Sequence, residues 1–273
     1  MKAGFCWING ELHTMADASL QLNDLSIQRG YGIFDFFKVV GGEPVFLEAH
    51  LNRLQSSAEK MRLAAGYSRK TLVEQITVLL AKNQMPQSGI RITITGGYSH
   101  DGYALATPNC IITQHPLQLS RVLPPGIRLV TYPFQRQLPE VKTIDYLMAI
   151  WLQPFIKENN ADDVLYESGH IVTECPRANF FIVNDSGEIQ TTRHQVLAGV
   201  TRNKILALAA KGFKIAEKDI WPDDIYSAKE AFITSTSRHV TPVLSVNGRT
   251  IANGQPGEIT NLLSEALLQE VFR

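Results

Sequence analysis

The sequence predicts an α+β chain, and three observations carry that prediction. Ile90, Ile92 and Ile94 alternate with Arg91, Thr93 and Thr95, the period of a half-buried strand. Leu51, Leu54, Ala58 and Met61, then Leu72, Ile76, Leu79 and Leu80, recur at helical spacing, so two amphipathic helices should cover one face of the sheet holding that strand. The rest of the chain runs as short apolar strands interrupted by single helices, with no internal repeat. That order argues for an α+β or mixed-barrel architecture over a doubly wound parallel sheet.

In chain order, Ile8-Asn9-Gly10-Glu11 reads as a tight hairpin. Val39–Phe46 holds two short strands about Gly41-Gly42, and the two helices and the strand Ile90–Thr95 follow. Cys110–Thr113 is a further strand. From His115 to Gly126 the period is lost among Pro116, Pro124 and Pro125, which places an interdomain linker at 116–125 between domains 1–115 and 126–273. The second part starts with a strand at Ile127–Tyr132 and an apolar helix over Leu147–Lys157. Strands follow at Asp163–Tyr166, Ile171–Thr173 and Phe180–Val183. Gly199 then precedes a helix through Ile205, Leu206 and Ala209, with Gly212 as its stop. Strands at Ala231–Thr234 and Val243–Val246 lead through the Asn247-Gly248 turn to a closing helix over Ile259–Val271.

Among 273 residues, Lys and Arg number 26 and Asp and Glu also 26, so no global field draws the chain to nucleic acid or an anionic membrane. Any anion site must be local. Cys6, Cys110 and Cys175 are too few for a disulfide framework and form no Cys-x-x-Cys pair, so a reducing cytoplasm is expected and no metal site is. The opening residues, Met1–Glu11, lack the apolar core of a signal peptide, and no apolar run is long enough to span a bilayer.

Several residues can carry chemistry, each with a plainer alternative. Gly199-Val200-Thr201 is either an ordinary helix start or an anion cradle of outward-pointing amides. Thr234, Ser235, Thr236 and Ser237 form a Ser/Thr turn or a set of phosphate donors. Arg53, on the polar side of the first helix, is by itself a solvated arginine. Lys142, where a loop enters an apolar helix, is a solvated lysine or a Schiff-base former. Glu174 is an exposed strand-end carboxylate, or is held inward by Arg177 and Asn179 as the acceptor for a protonated ring nitrogen.

Together these residues resemble a family. Arg29-Gly30-Tyr31-Gly32-Ile33-Phe34, His50–Leu54, Lys142–Leu147, Val172–Phe181, Ala198–Arg202 and Thr234–Pro242 occur in the order found in class IV aminotransferases, pyridoxal-phosphate enzymes of fold type IV. The resemblance covers nearly the whole chain. It implies a small N-terminal α/β domain, a larger C-terminal β-rich pseudo-barrel domain carrying Lys142, the cofactor in the cleft between them, and a cytoplasmic homodimer. Lys142 is similar to the Schiff-base lysine, and Glu174 to the partner of the pyridine nitrogen. Arg53, Gly199, Val200, Thr201, Ser235 and Thr236 resemble the phosphate holders, with Asn179 beside them. Tyr146 resembles the tyrosine at the ring hydroxyl, at a spacing one residue shorter, and Asp145 replaces the usual asparagine.

Three branches follow from the resemblance. The main expectation is 4-amino-4-deoxychorismate lyase, forming an external aldimine through Lys142 and releasing 4-aminobenzoate and pyruvate for folate biosynthesis. Gly102-Tyr103 and Val172–Cys175 look lyase-like, although Phe36 stands where some lyases carry threonine. The alternative is an aminotransferase acting on branched-chain or D-amino acids with a 2-oxo acid acceptor. The D-amino-acid enzymes place an arginine and a histidine where Asp101 and Tyr103 stand here, and an Asp cannot clamp a carboxylate. Tyr31, Phe36 and Tyr103 are the candidate substrate contacts. His100 reads as an exposed loop residue. The third branch, a catalytically silent relative that binds a small molecule, should first lose Lys142 or Glu174, and both are present.

Overall fold

A computed structural model describes residues 4–63 and 66–273. Met1–Ala3, within the stretch read as lacking a signal peptide, lie outside the described residues. The chain divides into two compact units: residues up to Gln118 with Val141–Asp145, and Leu119–Glu140 with Tyr146–Arg273. Among the described residues no helix is long and apolar enough to cross a membrane.

The first unit contains β1 (Phe5–Ile8), β2 (Glu11–Thr14), α1 (Leu25–Arg29), β3 (Gly32–Val40), β4 (Glu43–Pro44), α2 (Leu47–Lys60), α3 (Arg69–Asn83), β5 (Ser88–Thr95) and β6 (Cys110–Pro116). Its strands form an antiparallel sheet in the order β2-β1-β6-β5-β3-β4. The alternation of β5 is realised: Ile90, Ile92 and Ile94 join Ile33, Phe37 and Val39 of β3 in one core with Leu51 and Leu54 of α2 and Leu72, Ile76 and Leu79 of α3. Burying about ten such side chains, at roughly 1.5–3 kcal/mol each, is the main term holding helices to sheet. Side chains on a strand alternate, so Phe34, Phe36 and Lys38 of β3 point to the opposite face. In register they lie beside Thr93, Arg91 and Gly89 of β5.

Val141–Asp145, expected within 126–273, instead packs with this first unit. Phe34 donates its amide to the Lys142 carbonyl at 2.9 Å, Ile144 donates to the Gly32 carbonyl at 3.0 Å, and Val141 enters the same core. Gly32 is required by this approach. A Cβ there would meet the Ile94 carbonyl oxygen at 2.9 Å and Ile144 Cδ1 at 3.0 Å.

The second unit contains β7 (Ile127–Pro133), α4 (Leu147–Trp151), α5 (Gln153–Glu158), β8 (Asp163–Ser168), β9 (Ile171–Val172), β10 (Glu174–Cys175), β11 (Ala178–Val183), β12 (Ile189–Thr191), α6 (Val200–Ala209), β13 (Ile215–Glu217), α7 (Pro222–Ser227), β14 (Glu230–Ser235), β15 (His239–Val246), β16 (Arg249–Thr250) and α8 (Glu258–Val271). Its sheet runs β13-β12-β11-β14-β15-β7-β8-β9, with β10 on β11 and β16 on β15. Parallel and antiparallel pairs mix, as the α+β expectation requires. The single helix expected over Leu147–Lys157 is broken at Leu152, because Pro154 sits in the first turn of α5, where its missing amide costs nothing. The helix stop expected at Gly212 falls earlier, with Ala210 as C-cap.

Candidate active site

In the first unit, the Val141–Asp145 segment carries Lys142 to the sheet face away from the helices. Its Nζ lies 4.6 Å from the centre of the Phe34 ring, and the Arg91 guanidinium carbon lies 3.8 Å from the same centre. The two cations are therefore no farther apart than the sum of those distances, held by the ring's negative face. Arg91 also donates Nε to Thr93 Oγ1 at 3.1 Å. Phe36 and Lys38 share this face. The Phe36 ring covers Gly89, where a Cβ would fall 2.2 Å from it, and burial draws the Lys38 ammonium down to about 7. Nothing in the sequence singles out Arg91, because a polar residue alternating along a strand looks like a solvated one.

On the helix side of β3, Asp35 is buried and ties β3 to α2. It accepts from His50 Nδ1 at 2.7 Å and from Arg53 Nε and Nη2 at 2.8 and 2.9 Å. Burial alone would raise this carboxyl, but the charge of Arg53 and the hydrogen bonds from His50 and Arg53 outweigh it and hold the group well below the usual carboxylate range. Burial pushes the His50 imidazole down against the pull of Asp35. Arg53 is thus an oriented, nearly buried guanidinium and not the solvated arginine of the plainer reading.

The other first-unit candidates stand apart from this cluster. Tyr31 donates its hydroxyl to the Met61 carbonyl at 2.7 Å. Tyr103 is 85% exposed in a loop shaped by Asp101. The Asp101 carboxylate accepts the amides of Ala104 and Tyr103 and the Ser99 hydroxyl, which hold it at about 2, so this loop residue serves its own backbone. His100 is exposed beside it.

In the second unit, three neighbouring strands bring a row of polar side chains together: Glu174 of β10 faces Asn179 of β11, which faces Thr234 of β14. Glu174 is buried, and four donors meet its two oxygens. Arg136 gives Nε and Nη2 to Oε1, each at 2.8 Å; the Leu197 amide and Asn179 Nδ2 reach Oε2 at 3.0 and 3.3 Å. The sequence offers Arg177 and Asn179 as partners, and of the two it is Asn179 that donates to Glu174. Arg136 takes the place of Arg177, brought there by the turn after β7, and separation along the chain hides it. Asn179 also donates to the Leu197 carbonyl at 2.8 Å. Gly199, the N-cap of α6, lies against it: a Cβ there would fall 2.2 Å from Asn179 Oδ1.

No side chain caps α6, so the amides of Val200 and Thr201 have no acceptor within the helix, and both residues are buried. Thr234 Oγ1 is buried without a partner in the structure. Ser235, half-buried at the end of β14, accepts the Arg238 amide at 3.1 Å; Thr236 follows in the turn, and Tyr146 is the half-buried N-cap of α4. Cys175 is fully buried, which pushes its thiol far up and removes it from nucleophilic work.

A buried carboxylate met by these donors, uncapped helix amides and an orphaned hydroxyl fit a ligand that carries both a protonated ring nitrogen and a phosphate.

The class IV aminotransferase family matches residues 32–246, and the chain belongs to that family. Family members depend on pyridoxal phosphate, the ligand whose groups the second unit suits. Over 97% of its length the chain is 27% identical to the D-alanine aminotransferase of Bacillus licheniformis, 96% of which is covered. It is 30% identical to the branched-chain-amino-acid aminotransferase of Pseudomonas aeruginosa, covering 97% of this chain and 92% of that one. The branched-chain amino acid aminotransferase of Escherichia coli superposes with a TM-score of 0.88 at 24% identity, covering 98% of this chain and 94% of that one. The fold is fold type IV, as the resemblance implied.

Proposed function

We propose that this protein is an aminotransferase that moves an amino group from a D- or branched-chain amino acid to a 2-oxo acid, with Lys142 as its catalytic residue. The observation that carries the reading is the pairing of Lys142 and Arg91 on one aromatic ring. The lysine that would carry the amine-accepting aldehyde thereby shares a ring with a planar cation suited to a carboxylate, so the amine and the carboxylate that every amino acid presents each have a counterpart. Arg91 supplies the cation that Asp101 and Tyr103 do not.

The names of the relatives support transamination over the lyase reaction. So does Phe36, whose hydrocarbon ring has no proton to lend to an elimination.

Bound pyridoxal phosphate supplies the aldehyde that takes up amines and a ring that spreads the electrons left when the α-proton departs. Lys142 Nζ would hold the cofactor's aldehyde and, once released from it, would be the base that moves the proton of the substrate α-carbon. Glu174 would accept from the ring nitrogen and favour its protonated form. Arg53, Ser235, Thr236 and the Val200 and Thr201 amides would be the phosphate's holders, with Gly199 leaving room at the helix start. Tyr146 would meet the ring hydroxyl. The working form is a cytoplasmic homodimer.

The test is to incubate the loaded protein with D-alanine or L-leucine plus 2-oxoglutarate and, separately, with 4-amino-4-deoxychorismate. Glutamate formation in the first case is the expected result. Pyruvate release without an acceptor in the second, with no glutamate in the first, would overturn the reading in favour of the lyase.

A further inference from the structure

We propose that Arg136 is a positioning residue that acts through Glu174 to keep the proton on the cofactor's ring nitrogen. The inference rests on the assignment of Glu174 to that nitrogen. Glu174 Oε1 receives two hydrogen bonds from one guanidinium, and Oε2 receives the Leu197 amide and Asn179 Nδ2. Every one of these neighbours is a donor, and only Arg136 brings charge. The Arg136 side chain is 15% exposed and that of Glu174 6%, so water screens the pair weakly.

A second anchor fixes the guanidinium: Arg136 also donates to the Pro139 carbonyl. Gln135 beside it donates to the Gln195 carbonyl at 3.1 Å, so the turn that carries Arg136 is held at both residues.

A proton shared by a buried carboxylate and a pyridine nitrogen has two resting places. With both groups neutral, no charge need be buried, and desolvation favours that arrangement. With carboxylate and pyridinium, the ring draws electrons strongly, as the proposed reaction needs. Arg136 touches the carboxylate at hydrogen-bond distance, nearer than it can come to a ring that the carboxylate serves, so its charge stabilises the anion more than it repels the ring. Removing the guanidinium moves one proton from ring nitrogen to Glu174: N–H⁺ and COO⁻ become N and COOH, with no other bond changed.

The test loads the protein with pyridoxal phosphate labelled with ¹⁵N in the ring and follows the nitrogen resonance across pH in the unsubstituted protein, Arg136→Gln, Arg136→Lys and Glu174→Gln. Near neutral pH we expect the protonated-ring signal in the unsubstituted protein, its loss in Arg136→Gln, and its retention in Arg136→Lys, which keeps the charge. Cofactor affinity in Arg136→Gln should fall about 10- to 100-fold, the scale of a lost charged hydrogen bond. If Arg136→Gln does not fold, Arg136→Lys still decides: losing one donor should lower the pH at which the ring gives up its proton.

A protonated ring in Arg136→Gln over the same range as in the unsubstituted protein, or an unshifted titration in Arg136→Lys when only that variant folds, overturns the inference. Glu174→Gln separates it from the reading beneath it. A ring that stays protonated in Glu174→Gln removes the assignment of Glu174 and the inference with it. Loss there with no change in Arg136→Gln removes only the role of Arg136.

Discussion

Replacing Asp35 with asparagine keeps shape and removes one charge from the cluster that joins β3 to α2. Asp35 is 1% exposed, and the Arg53 side chain that it binds through two hydrogen bonds is 11% exposed. The substitution therefore leaves a nearly buried guanidinium without its counter-ion and turns one of the two accepting oxygens into a donor facing the donors of His50 and Arg53. Breaking a buried pair on one side costs roughly 3–5 kcal/mol; the slight exposure of Arg53 places this site near the lower end, about 3 kcal/mol. Urea unfolding followed by circular dichroism measures it. Glu48→Gln is the control, because Glu48 is 74% exposed where it meets Arg69, and its loss should change stability by less than about 0.5 kcal/mol. The pH dependence adds a sign. The folded carboxyl titrates below its ordinary 3.8, so its contribution is complete above that value and is lost as pH falls through the folded value. Asp35→Asn should lack that part of the acid lability. A stability within about 1 kcal/mol of the unsubstituted protein would refute the argument.

Three other substitutions probe the remaining geometry. Arg91→Met should lower kcat/KM for amino acids roughly 10- to 100-fold, the scale of a lost charged hydrogen bond, while cofactor affinity stays unchanged in a binding titration. Lys38 is a base whose folded value is drawn down to about 7 from 10.5, so its part of the stability is present above pH 10.5 and lost as pH falls toward 7. Lys38→Met should flatten the stability profile across that window in unfolding measurements. Gly199→Ala keeps an ordinary backbone conformation but drives a methyl into Asn179 Oδ1, and should weaken cofactor binding while costing about 1–3 kcal/mol of stability.

Legibility in the sequence followed the range of each interaction. The β5 strand, the Asn9-Gly10 hairpin and the apolar faces of α2 and α3 are local patterns, and each is in place. The broken helix at Leu152 was also local, and Pro154 was its readable sign. What escaped was carried by backbone or by distance. Lys142 reaches the first unit through amide–carbonyl bonds to β3, which leave no side-chain signature except the close approach at Gly32. Arg136 and Glu174 lie 38 positions apart, and Asp35 and Arg53 18 apart, so no periodicity links them. Asp35 and Lys38, both buried, sat within the apolar run Ile33–Val40, where a charge demands a partner or a shifted titration. That anomaly was the available signal.

The central claim is that Lys142 carries the cofactor. Borohydride reduction of the protein loaded with pyridoxal phosphate, followed by digestion and mass spectrometry, tests it directly. The account predicts a phosphopyridoxyl group on the Lys142 peptide and its disappearance in Lys142→Ala. Stoichiometric label on another lysine, with Lys142 unmodified, would contradict it.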